Sequence, residues 1–183
     1  MRDFGRTGFV LRQAPRPLRL AYAGFLGLLA PGLLTQVAFQ VGRVGLAPSA
    51  ITAYYRGDDT GAVLAFGKTA AQLLELTHAH AFTMSVVFLI LTHLYVACPG
   101  PARARGIVIG ATFGGMLGDL AGPWLVRYAS PRFSWLLLVA WIALDAGAIT
   151  MLLTSGWECL GYGPWGKTSG LGGGGEMRPP SGV

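Results

Sequence analysis

Apolar residues in this chain neither alternate with polar ones nor mark out one helical face; they run on. Stretches at about residues 20–41, 69–98, 106–126 and 134–154 are nearly continuously apolar. A helix of roughly 20 apolar residues crosses about 30 Å of hydrocarbon, whereas barrel strands alternate in lipid-facing and lumen-facing positions. The pattern therefore predicts an all-α fold, a four-helix transmembrane bundle over residues 20–154.

The segments between these runs set the orientation. A basic arm, residues 1–19, carries Arg2, Arg6, Arg12, Arg16 and Arg19. The apolar run behind it is full length and contains Pro31 and Gln36, which reads as a retained first helix rather than a cleaved leader. From Gly42 to Gly67 runs a polar connection, with Tyr54 and Tyr55 suited to an interfacial aromatic belt and Asp58, Asp59 and Gly61 to a turn. Pro99-Gly100-Pro101 stops the second run, and Arg127 to Arg132 turns the chain between the third and fourth. Residues 155–183 form a tail that becomes rich in glycine and proline, a composition that cannot bury enough to order itself. Nine basic residues fall on the side of the termini and five on the other. The positive-inside bias places both termini in the cytoplasm.

Composition agrees with this reading. Of 183 residues 12% are charged, against about 25% in soluble domains. The net charge of +6 flanks the apolar runs, as topology signals do, so nucleic acid is not the expected partner; the bilayer is. Cys98 and Cys159 are too few for a disulfide framework, and on the cytoplasmic side they are expected as thiols. The chain has no G-x-S-x-G, Walker A or H-E-x-x-H motif, and its soluble segments are short. It is not expected to be an enzyme on its own.

Candidate chemistry gathers in the second run, which holds all three histidines. An ionisable group inside a span is costly and marks a candidate site. At 100° per residue Glu75, His78 and His93 share one stripe, and His80 with Met84 lies on the opposite side. His78 and His93 are about 22 Å apart along a helix, a separation resembling the paired histidines of cytochrome b helices. Two bis-histidine haems need four histidines, however, and the other runs have none. His78, His80 and His93 are therefore candidate ligands for a single haem b, or for a transition metal with Glu75 and Met84. Asp119 and Asp145, with Arg127 and Tyr128, are candidate proton carriers or supporting groups. Asp119 also reads as a structural partner of Arg127 or a histidine, holding the bundle together. In the third run Gly106, Gly110, Gly114, Gly118 and Gly122 recur every four residues, a ladder for close helix approach within the bundle or in a homodimer.

The pieces ITAYYRG, LLELTHAHAFTMSVVFLILTHL and LGDLAGPWLVRYASPRFSWLLL, over roughly Ile51 to Leu153, together resemble a group of small four-span bacterial inner-membrane proteins. Its members share a YYRG segment, an LLE-x-THxH span and a WL-x-RY-x-SP-x-F turn. The resemblance implies the architecture and singles out Glu75, His78, His80, His93, Asp119, Arg127 and Tyr128 as matching polar positions. It implies no reaction: the group has no established activity. Some members carry a translation elongation factor label, which a chain without a nucleotide-binding loop contradicts. The long basic arm and the glycine-rich tail depart from the group's pattern.

The expected function is a small inner-membrane subunit with a histidine and carboxylate site near the outer face. Such a site would bind haem b or a metal ion as an accessory to a redox membrane complex. Two other readings stand beside it: a structural or assembly protein whose buried charges hold helices together, and a proton- or metal-conducting bundle.

Overall fold

The computed structural model describes residues 10–58 and 65–161. Its α-helices are α1, Arg16–Phe39, continued by a π turn at Gln40–Val44; α2, Pro48–Arg56; α3, Ala70–Val96; α4, Ala102–Trp124, continued by a π turn at Leu125–Ala129; and α5, Phe133–Leu160. A 3-10 turn, Leu11–Gln13, precedes α1. Between α2 and α3 the strands β1, Gly57–Asp58, and β2, Ala65–Phe66, pair antiparallel.

Local chemistry explains the helix ends. Proline occupies the first turn of both α1 and α2, where its missing N–H costs nothing. Thr69 and Gln72 form a reciprocal capping box on α3, each side chain accepting from the other's backbone N–H. Gly57, at φ 91°, ends α2 with a conformation that a side chain would resist, and so turns the chain into β1.

Three segments are long and apolar enough to cross a membrane: Arg16–Val44, Ala70–Val96 and Phe133–Leu160. They correspond to the first, second and fourth of the expected spans. The 23 residues of α4 are also long enough, at about 35 Å, but its glycines and Asp119 make it less apolar than the rest. The polar connection expected between residues 42 and 67 contains α2 and the β1–β2 ladder. At the other end α5 runs on past Thr154 to Leu160. Asp59 and Gly61 lie outside the described residues, as do residues 1–9 and 162–183.

The four long helices run alternately up and down, with α1, α3 and α4 packed against α5. This helix packs most extensively on α4 and also touches α1, α2 and α3, whereas α1 meets α5 more than it meets α3. Small residues set the α4–α5 approach. A Cβ on Gly115 would lie 2.6 Å from the Leu144 nitrogen and 2.7 Å from the Ala140 carbonyl oxygen. Gly122 sits similarly against Leu137, and Gly147 of α5 against Thr112 of α4.

Arginines tie both ends of the bundle through backbone carbonyls. Arg105 donates to the carbonyls of Val96 and Cys98, and Arg19 Nε to that of Cys159 at 2.9 Å. The Leu11 N–H donates to Ala97, so a described part of the arm tucks beneath α3, with Leu11 fully buried. At the opposite end Arg56 donates to the Val126 and Arg127 carbonyls, and Arg127 returns a bond to Arg56.

Two apolar clusters divide the interior. One contains Leu26, Phe88, Leu91, Met116, Leu144 and Met151; the other contains Val44, Ile51, Leu73, Val126, Leu137 and Trp141. Cys98 belongs to the first and lies beyond the last residue of α3, with burial pushing its thiol up to about 11. Thiolate is the reactive form, so Cys98 is expected to resist maleimide in the folded protein near pH 8 and to label once denatured. Rapid labelling in mild detergent would show that this end of the bundle opens.

Candidate functional site

Each long helix places one or two polar side chains where the two apolar clusters meet. On α1 they are Gln36 and Gln40, lying between Leu26 and Val44; on α3 His80, between Leu73 and Phe88. On α4 the residue is Asp119, between Met116 and Val126, and on α5 it is Asp145, next to Leu144 and one turn from Trp141. His80 is ten residues into α3, or about 15 Å along its axis, well inside hydrocarbon depth.

The centre of this layer is Asp119. Trp141 Nε1 donates to its Oδ1 at 2.7 Å. His80 Nδ1 lies 3.4 Å from Oδ2, with Asp119 8% exposed and His80 33%. Oδ2 has no partner at full hydrogen-bond geometry, so the contact is electrostatic, and it strengthens when the imidazole carries its proton. A carboxylate at hydrocarbon depth must be paired or neutral; here an indole N–H and an imidazole share it. Tyr55 of α2 completes the roof. It is buried, its hydroxyl held well above the ordinary tyrosine range by burial first and then by Asp119 and Tyr54.

Asp145 is half-buried beside Gln40, whose carboxamide interacts with it although the amide nitrogen lies outside full hydrogen-bond geometry to any protein atom. His80 and Asp145 line one cavity of about 260 Å³ between α1 and α3, floored by α5. Gln36, Thr83 and Met84 line it too, among mostly apolar walls.

The remaining expected site residues go elsewhere. Glu75, His78 and His93 face outward, as one stripe opposite His80. His78 packs edge-on against Phe82, and His93 Nδ1 is 2.9 Å from its own helix's Leu89 carbonyl. Arg127 binds the Arg56 backbone, and exposed Tyr128 stacks beside Trp124. The glycine ladder divides: Gly118 and Gly122 meet α5, while Gly106, Gly110 and Gly114 have nothing within 4 Å.

Among the described residues, no group of three or more His, Cys, Asp or Glu could hold a metal ion. His80, Met84 and Asp145 share a cavity without closing into a coordination set. An aromatic expected at the interface and a tryptophan of the last span are both internal. Tyr55 is buried, and Trp141 is the residue that holds Asp119. Its partner is 22 residues away on another helix, which residue spacing alone does not place beside it. Trp124 likewise donates inward, to Thr77 at 2.8 Å.

Apolar helices of spanning length, packed around a buried polar layer, define a multi-pass integral membrane protein. A family model for a transmembrane helical domain matches residues 45–164, and the chain belongs to that family. No curated protein and no solved structure matches it.

Proposed function

We propose that this protein is a small membrane subunit, non-catalytic by itself, whose His80–Asp119 pair forms a protonatable binding site within the bilayer. The supporting observation is that His80 has a buried carboxylate behind one ring nitrogen and a cavity beside it. His78 and His93 have neither feature in this structure. In this reading α4 is the fourth span: it is of spanning length and lies against α5 throughout. The end bearing Arg16, Arg19, Arg103 and Arg105 faces the cytoplasm of a bacterial inner membrane by the positive-inside bias. A subunit that binds a molecule beside a protonatable pair suits an accessory place in membrane electron transfer.

Because Nδ1 is engaged by Asp119, Nε2 is left for a ligand. That is also how proteins present histidine to a metal or haem iron, the carboxylate fixing tautomer and ring orientation. Within this reading His80 is the residue that would hold haem b or a transition metal, with Met84 one turn away. The apolar clusters above and below the layer favour a closed site over a conducting path.

The test compares wild type with His80→Ala, His78→Ala and Asp119→Asn, each purified in mild detergent. Each sample is divided between a reduced-minus-oxidised spectrum with metal assay and organic extraction with mass spectrometry. Asparagine at 119 still offers Trp141 an acceptor, so that variant is expected to accumulate normally. A bound molecule is expected in wild type and His78→Ala, and its loss in the other two. If His80→Ala retains it, or nothing is retained by wild type, the buried charges serve only to hold helices together.

A further inference from the structure

The cavity between α1 and α3 has a shape and position that restrict what can occupy it. It is partly enclosed, and its mouth lies between helices whose flanking side chains, Leu28, Leu34, Phe82 and Val86, are exposed. In a bilayer those side chains face acyl chains. Whatever enters must come sideways through hydrocarbon, so it is lipid-soluble and carries no net charge. The inner wall is not inert, though. Gln36 and His80 supply donors, and Asp145 an acceptor, on an otherwise apolar lining.

Size narrows the class further. A cavity of about 150 Å³ in a protein core takes benzene. The volume here, about 260 Å³, has room for a substituted or bicyclic ring but not for a long chain coiled on itself. A chain attached to such a ring could leave through the mouth and lie along the exposed groove. A neutral ring with oxygen at its edge fits each feature. Carbonyl oxygens accept from imidazole or amide N–H groups, and ring hydroxyls donate to a carboxylate.

We propose that the α1–α3 cavity is a lateral binding site for the ring of a quinone-class membrane molecule, its oxygens meeting His80, Gln36 and Asp145. This rests on the reading of His80 as the ligand-facing group and adds the chemical class. Gly32 sits in the wall on α1, and a Cβ there would meet nothing within 4 Å, so a side chain can be built into the cavity without disturbing packing. Gly32→Leu therefore fills the cavity and leaves the Asp119–Trp141 contact in place. Val87→Phe does the same from the α3 wall.

The experiment places the protein in nanodiscs of saturated phosphatidylcholine free of quinone, adds decyl-ubiquinone, and measures its excess partition over protein-free discs. Saturable binding near one per chain is expected, weakened about tenfold or more by Gly32→Leu or Val87→Phe. His80→Gln is expected to weaken it as well, since it removes the imidazole from the wall. No saturable excess in wild type overturns the inference, as does undiminished affinity in both cavity-filling variants. Loss in the filling variants with full affinity in His80→Gln supports the cavity and overturns the His80 reading beneath it.

Discussion

Gly115→Leu is expected to prevent the bundle from assembling, while Gly114→Leu, one residue away, is expected to be tolerated. The Gly115 Cβ position lies within 3.0 Å of the backbone of α5 at Leu144 and Ala140, and backbone cannot swing aside as a side-chain tip can. Inserting even a few methylenes into a packed interior costs about 1–3 kcal/mol. Here the insertion must push apart the most extensive helix pair in the molecule, so the loss is expected at about 3 kcal/mol or more. Gly114 points away from the protein, and leucine there gains helix propensity. Size-exclusion profiles and thermal unfolding in one detergent compare the two directly. Equal damage from both would mean that α4 packs by a different face.

The same pair shows how far the sequence could be read. The four-residue glycine repeat was visible, but α-helical geometry turns each four-residue step by about 40°, so a ladder of five cannot stay on one contact line. The contact runs instead through Thr112, Gly115, Gly118 and Gly122, the spacing of an ordinary helix stripe. In α3 the angular reading went further. Arithmetic on residue numbers put His80 opposite Glu75, His78 and His93, and the structure places these three outward and His80 inward. Which side faces the protein was not legible, because both faces of the span are apolar and lipid gives no polar signal to mark the outside. The short α2 had its proline at the first helical position, yet nine residues do not stand out from a polar connection between two long apolar runs. Trp141 is silent in the apolar pattern, because its role depends on an acid 22 residues away, on a neighbouring helix that the sequence does not align with it.

That contact yields the second large effect. Trp141→Phe keeps most of the ring volume and removes one N–H, the donor to Asp119 Oδ1 at 2.7 Å. The carboxylate is then left at hydrocarbon depth without its hydrogen bond, with His80 at 3.4 Å as its ion-pair neighbour. An unsatisfied buried group costs about 1–3 kcal/mol, and more when it is charged. The expected result is a destabilisation of about 2–4 kcal/mol, with lower membrane accumulation. If the loss arises from the orphaned carboxylate and not from the slightly smaller ring, then removing the carboxylate as well should recover part of it. Asp119→Leu combined with Trp141→Phe is accordingly expected to be more stable than Trp141→Phe alone, because two apolar partners replace a broken polar pair. The double-mutant cycle, read from unfolding midpoints in a fixed detergent, gives the coupling energy between the two side chains. A double variant no better than the sum of its singles would mean that indole packing, not the hydrogen bond, is what Trp141 contributes.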